Sequence, residues 1–432
     1  MNIVQAALAS SEPAAAIRSH VRRFGDVLDV AGTPYDLANY RDIYVVGGGK
    51  GAGPMAQAME ELLEDRITAG VICVKYGYAV ATRKVDVEQA GHPIPDDRGV
   101  RAADRMVALA QAAGPSDLVI SLISGGASAL MVAPADGITL ADKRRLTNAL
   151  LRSGATINEI NVVRKHLSRI KGGGLARLAY PATVINLILS DVLGDPLDVI
   201  GSGPTVPDSS TFHDAWEIVE RYDLDRDLPG SIAARLRDGL VGSAAETPKP
   251  GDPIFGRTQN VVVASNSRAV RAAVDQARRD GLSTLLLSTY VEGEAREVAR
   301  VFAAVAREIV ESDNPVARPC AIIAGGETTV TVRGQGRGGR NQEFALAAGI
   351  HLAGIDGVTI LAFGTDGSDG PTTAAGAFAD GSTVARGMAV GIHARQALVD
   401  NDSHSFFQVL GDLIVTGPTN TNVDDLYVIV AG

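Results

Sequence analysis

Two cysteines in 432 residues leave no disulfide framework to staple this fold. Cys73 and Cys320 each sit in an apolar, strand-like run. Neither has a CxxC spacing or a neighbouring histidine, so both read as buried thiols of a reducing cytoplasm. Aromatic residues are scarce, 4% against 46% hydrophobic overall. That balance suits a core of Ala, Val, Leu and Ile, as in α/β proteins whose parallel strands are buried on both faces. An excess of positive charge is also missing: 40 Lys and Arg stand against 50 Asp and Glu, a net of −10. No nucleic-acid partner is expected from such a chain, and any anionic substrate must be held by local positive groups. No run reaches the roughly 18 apolar residues that span a bilayer, so no membrane partner is expected. Residues 1–5 lack a basic segment and an apolar core, so no signal peptide is expected. There is no internal repeat and no low-complexity tract.

Two common phosphate motifs are absent as well. The loop GxxxxGK[ST] fails because Lys50 is followed by Gly51. Gly47, Gly49 and Ala52 fit the loose dinucleotide pattern GxGxxA. However, the next strand ends at Val74-Lys75-Tyr76, with no acid for a ribose hydroxyl.

What is present is an alternation of strands and helices over a length that implies two domains. The expected boundaries are 1–241 and 252–432, joined by a linker through Pro248 and Pro250. Residues 1–40 read mainly as helix, with an apolar stripe over 13–24. Strands are expected at 42–46, 70–76, 117–122 and 182–189, with helices at 55–63, 102–113, 140–153 and 159–170. In the second half, strands are expected at 259–264, 283–288, 320–324, 328–333, 358–363 and 426–430. In the first half, alternation of this kind implies a parallel sheet with right-handed crossovers, and the second half repeats the α/β pattern.

Glycine loops follow several of these strands, and ligands of open α/β sheets bind at the carboxyl ends of strands. The fullest loop is Gly334-Gln335-Gly336-Arg337-Gly338-Gly339-Arg340-Asn341, placed between a strand and an apolar helix. Its free amides and its Arg337 and Arg340 forks read as an anion site. Lys50, in Gly49-Lys50-Gly51, is a point charge for phosphate or carboxylate, against the alternative of a solvated lysine. Ser124-Gly125-Gly126-Ala127-Ser128 wraps an oxyanion, or else makes a tight turn with Ser128 as helix cap. Of Arg164 and Lys165, adjacent on a helix, only one is expected to point inward. Asp191 emerges after a wholly apolar strand, where a base or metal ligand is favoured over a turn cap. Glu327 and Asp366 are oxygen ligands suited to Mg²⁺, with an Asx turn as the plain reading of Asp366. His92 belongs to no metal-ligand spacing.

Taken in order, Gly47-Gly48-Gly49-Lys50-Gly51-Ala52, Gly91-His92-Pro93-Ile94-Pro95, Ser124-Gly125-Gly126-Ala127-Ser128, Asn161-Val162-Val163-Arg164-Lys165-His166 with Lys171-Gly172-Gly173, Ser190-Asp191-Val192, Gly325-Gly326-Glu327-Thr328-Thr329, Gly339-Arg340-Asn341-Gln342-Glu343 and Thr365-Asp366-Gly367-Ser368-Asp369-Gly370 resemble the class II glycerate kinases of the MOFRL family. The resemblance covers nearly the whole chain. It implies an N-terminal Rossmann- or flavodoxin-like parallel sheet, a C-terminal MOFRL-type α/β domain, and an active site in the cleft between them. It implies ATP- and Mg²⁺-dependent phosphorylation of D-glycerate at O2. Similar sequences are often labelled hydroxypyruvate reductase, an NAD(P)H enzyme, and the missing ribose acid weighs against that alternative. A pure binding protein has no need of so many charged glycine loops. In the kinase reading Lys50 and Arg340 hold anionic groups and Asp191 is the base. Gly49, Ser124, Gly125, Gly126, Ser128, Arg164, Lys165 and Asn341 contact substrate or phosphate, while Glu327 and Asp366 contact nucleotide or metal. A homo-oligomer is left open.

Overall fold

The computed structural model describes residues 1–432. They divide into two compact units: Pro13–Ser190 with Asp195–Val263, and Ala264–Gly432 with Met1–Glu12 and Asp191–Gly194. This differs from the expected division at 242–251. The proline stretch is tied down within the first unit, where Asp208 N donates to Pro248 O and Thr247 Oγ1 to Asp208 Oδ2. The first helix, Asn2–Ser11, buries Ile3, Val4 and Ala7 and is counted with the second unit, where Asn2 reaches Asp280.

The first unit opens with a three-stranded antiparallel sheet, β1 (Val21–Phe24), β2 (Val27–Val30) and β3 (Thr33–Asp36). A helix continuing through Phe24 was expected, but the helix ends at His20. The cause is local: Ala31 and Gly32 both take positive φ, the backbone of a two-residue hairpin turn. The main sheet contains β4 (Ile43–Gly48), β5 (Ala69–Lys75), β6 (Val85–Ala90), β7 (Leu118–Ile123), β8 (Thr183–Leu189) and β9 (Thr258–Ala264). Its order is β6-β5-β4-β7-β8-β9, and β4 is parallel to both β5 and β7. All six residues of β7 are buried, as expected for a strand covered on both faces. From β4 the chain builds outward through β5 and β6; from β7 it builds the other way. The order therefore reverses between β4 and β7, where doubly wound sheets hold their ligands.

The second unit has the order β10 (Ser283–Glu294), β11 (Cys320–Thr329), β15 (Asp425–Ala431), β12 (Val358–Gly364), β13 (Gly376–Asp380), β14 (Leu413–Ile414). This sheet is mixed, unlike the first. β10 and β11 are parallel, but β15 runs antiparallel to both β11 and β12. The separate strand expected at 328–333 does not form: β11 is one strand ending at Thr329, and residues 330–339 form a loop. Phe302, Phe344 and Tyr427 pack their rings together beneath the sheet, with centroids 4.6 to 5.9 Å apart. That cluster anchors Arg340–Leu352, the helix following the glycine loop, against β15.

Candidate active site

At the reversal point of the first unit, the loops after β4 and β7 are laced together. Ser124 N donates to Gly48 O (3.1 Å), Lys50 N to Gly125 O (2.9 Å) and Gly51 N to Ser124 Oγ (2.9 Å). Gly49 has φ 129°, and a Cβ there would fall 2.1 Å from Ser124 Oγ, so only glycine allows the two loops to approach. Ser124 is buried, and its hydroxyl is committed to the lacing. Lys50 projects from this knot with no hydrogen bond or ion pair on its ammonium. His92 lies beside it: a Cβ on Gly126 would meet the His92 ring at 2.9 Å. Burial, then Lys50 and Lys75, hold the His92 pKa below its ordinary value.

Ser128 is not the helix cap that was the alternative; Gly126 is the cap of Ala127–Leu130. The Ser128 hydroxyl lies 3.0 Å from Ser202 Oγ and receives Lys171 Nζ at 2.9 Å. Lys171 is buried and also bonds Ser128 O and Gly201 O, with no carboxylate among its partners. Burial, helped by Arg164 and Lys143, drives its pKa well below the ordinary lysine value. Arg164 and Lys165 separate as expected from adjacent helical positions. Lys165 is buried 3.3 Å from Asp208, in an ion pair within the fold. Arg164 has no hydrogen bond or ion pair and lines a cavity of about 330 Å³.

In the second unit the glycine loop departs from its expected role. The amides opening Arg340–Leu352 are already occupied: Asn341 N and Gln342 N donate to the buried carboxylate of Asp369 at 3.1 and 2.8 Å. A Cβ on Gly339 would lie 2.3 Å from Asp369 Cγ, so glycine is required for this capping. The expected anion site is thus filled by the protein's own anion. Arg340 is engaged too. Its Nε and Nη2 bind the two oxygens of Asp425 at 2.6 and 3.0 Å, and Nη1 binds Glu327 at 2.7 Å. Asn341 is buried and donates to Asp425 at 2.9 Å. Arg340 and Asn341 therefore organise carboxylates instead of presenting free donors. Arg337 remains exposed on the loop.

The carboxylates so organised are the notable chemistry of this unit. Asp424 is buried and takes a left-handed φ of 62°, and its Oδ2 has no hydrogen-bond partner. Burial raises its pKa to about 9, with Glu327, Asp191 and Asp425 adding repulsion. Asp425 is raised by burial to about 6, against the pull of Arg340. Asp191, though it directly follows the β8 segment in sequence, belongs to this unit and bears electrostatically on Asp424. Asp366 makes the Asx turn of its plain reading, accepting from Ser368 N and Oγ at 2.9 and 3.0 Å. It borders a cavity of about 440 Å³ that also touches Arg340 and Asp369. No three of the His, Cys, Asp and Glu side chains form a group able to hold a metal unaided. The oxygen-only donor set and the orphaned Asp424 Oδ2 nevertheless fit Mg²⁺, which usually takes one or two carboxylates and completes its shell with water and phosphate.

Comparison with known proteins decides the family. Residues 320–425 match the MOFRL family, and residues 1–237 match a domain of unknown function, DUF4147. A glycerate 2-kinase of Pyrococcus horikoshii is 39% identical over 100% of this chain and 96% of its own length. The chain belongs to the MOFRL-type glycerate 2-kinase family. The crystal structure of a glycerate kinase from Thermotoga maritima has a TM-score of 0.90 and 38% identity, covering 100% of this chain and 98% of that one. An Agrobacterium vitis protein with the provisional name hydroxypyruvate reductase is 45% identical over 90% of this chain and 87% of its own. The glycerate 2-kinase family is thus the one expected from the motifs, while several residues central to the geometry were not singled out. Asp424 and Asp425 were hidden at the start of the last apolar strand, with only the acidic pair before Leu426 as a signal. Lys171 and Asp369 stood within quoted motifs but were given no role, and Lys143 carried no spacing that marked it. No helix is long and apolar enough to cross a membrane.

Proposed function

We propose that this protein is a glycerate 2-kinase, transferring the γ-phosphoryl group of ATP to the 2-hydroxyl of D-glycerate and releasing 2-phosphoglycerate and ADP. Its relatives over the full chain support this, but the observation that carries the chemistry is Lys50. It is a partnerless ammonium on the glycine loop at the reversal point of a doubly wound sheet. Phosphoryl transfer asks a protein mainly for positioning and charge neutralisation. Lys50 supplies the charge, and the lacing of the 47–51 and 124–128 loops holds it in a rigid frame, with Gly49, Gly125 and Gly126 letting the phosphate approach. Asp191 orients the 2-hydroxyl and takes its proton as the new P–O bond forms and the bond to ADP breaks.

Asp424, with Glu327 near it, would hold Mg²⁺, water and phosphate completing the shell. When bound, the ion neutralises charge on the phosphates. Arg340 fixes Asp425 and Glu327 so that these carboxylates keep their places. Buried thiols at Cys73 and Cys320 support a reducing, cytoplasmic setting. A reductase reading has the provisional name of two Agrobacterium vitis relatives in its favour, but β5 ends at Lys75 with no acid for the adenosine ribose of a nicotinamide dinucleotide.

The test is phosphorus NMR of the protein incubated with ATP, Mg²⁺ and D-glycerate. A resonance of 2-phosphoglycerate, growing as ADP appears, is expected. Hydroxypyruvate-dependent oxidation of NADH or NADPH without any phosphorylated product would overturn the proposal.

A further inference from the structure

The cavity of about 330 Å³ in the first unit has no part in the scheme above. It carries two opposed features. One wall is basic: Arg164, Lys171, Lys143 and Arg144, with no carboxylate anywhere in the lining. Arg164 has no partner, while the two lysines are buried against backbone carbonyls and hydroxyls. The other wall is apolar, and three of its residues, Ile94, Leu151 and Ile157, are 68%, 60% and 58% exposed. An exposed apolar rim over a half-buried basic wall is the surface a ligand covers. Thr147 and Asn148 border the same space, and their side chains have no hydrogen-bond partners.

We propose that this cavity is the nucleotide site: the purine lies on Ile94, Leu151 and Ile157, its edge meets Thr147 and Asn148, and the phosphates run past Arg164 toward Lys50. The inference rests on the kinase reading and adds where the nucleotide sits. Chemistry favours it over the acceptor. D-glycerate has hydroxyls and a carboxylate on a three-carbon chain and offers no apolar face to this rim, whereas a purine is flat and apolar with a polar edge. The position agrees as well. Ser128 lines the cavity at one end, and the His92–Pro93 segment joins it to the Lys50 corner, held there by Arg144 Nε donating to Pro95 O at 2.7 Å. Burial, then Arg164, brings the Lys143 ammonium down to about 7, so bound phosphate would restore its proton. A guanidinium without a partner is suited to a phosphate, to which it donates two parallel bonds.

Titration calorimetry of the full chain with ADP, together with steady-state kinetics, tests this in Arg164→Gln and Leu151→Ser. The Leu151 side chain is mostly exposed, so that variant keeps the fold; circular dichroism checks both. Each substitution is expected to weaken ADP binding and raise the KM for ATP by about tenfold or more, as loss of a charged hydrogen bond or an apolar contact does, with the KM for D-glycerate within about twofold. A raised KM for D-glycerate with unchanged ADP affinity would make this the acceptor site and overturn the proposal. Unchanged values for both would remove the cavity from ligand binding. A wild-type chain that binds ADP here yet does not phosphorylate D-glycerate would sink the kinase reading and leave the nucleotide site standing.

Discussion

Replacing Asp424 by asparagine tests whether the acidic centre stores a cost that function requires. Asparagine tolerates the left-handed backbone at this position, so the substitution changes charge with little strain. The carboxyl has its pKa raised from 3.8 to about 9 in the folded state. For an acid shifted upward, the stabilisation is fully present below the unfolded pKa and is lost as pH rises toward the folded one. At pH 7 the folded chain must hold a proton that the unfolded chain releases. Over the interval from 3.8 to 7 this costs about 4 kcal/mol. The amide nitrogen of asparagine, set where Oδ2 now lacks a partner, returns about 1 to 3 kcal/mol of that gain. Asp424→Asn is therefore expected to be more stable than the wild type at neutral pH by on the order of 1 to 3 kcal/mol. Its stability should also fall less between about pH 5 and pH 9. Thermal melts across that range, without ligands, measure both. Addition of Mg²⁺ with ATP should raise the wild-type melting temperature more than the variant's, and phosphotransfer should drop in the variant. A variant that melts below the wild type at pH 7, or that keeps the wild-type pH slope, would refute the account of Asp424 as a buried, repelled carboxyl.

Lys50→Ala removes a side chain with no partner, so its melting temperature should be unchanged while kcat/KM falls roughly a hundredfold, about 2.7 kcal/mol of transition-state stabilisation. Near-normal kinetics would displace Lys50 from the site. Arg340→Ala leaves Asp425 buried without its guanidinium, so a loss of about 3 to 5 kcal/mol in denaturant unfolding is expected alongside lost activity; a variant of normal stability would show that Arg340 is not the structural centre of the carboxylate set. Asp191→Asn keeps size and hydrogen bonding but cannot accept a proton. Its KM for D-glycerate should stay within about tenfold, roughly 1.4 kcal/mol, while kcat drops much further; wild-type kcat with an unchanged melting temperature would move the base elsewhere.

Local pattern determined much of this protein. Apolar runs such as β7 and β8 are buried on both faces, and that alone marks parallel strands; glycine loops after them mark the ligand edge; and the ordered motifs mark the family. Hairpin β1–β2–β3 escaped because turn backbone at Ala31 and Gly32 overrode a helical stripe that continued past His20. The mixed direction of the second sheet was not legible, because strand direction depends on which strands pair, and β15 returns from the end of the chain to lie between β11 and β12. The same return brings Asp425 to Arg340 and Asp424 toward Glu327 and Asp191, contacts between residues far apart in sequence. A free arginine in a glycine loop and one bound to two carboxylates look identical in one dimension. So do the exposed Arg337 and the cavity-lining Arg164. Sequence spacing therefore determined the elements and where a site opens. Only the tertiary structure decided which charges are paired, which are buried, and hence which remain to act.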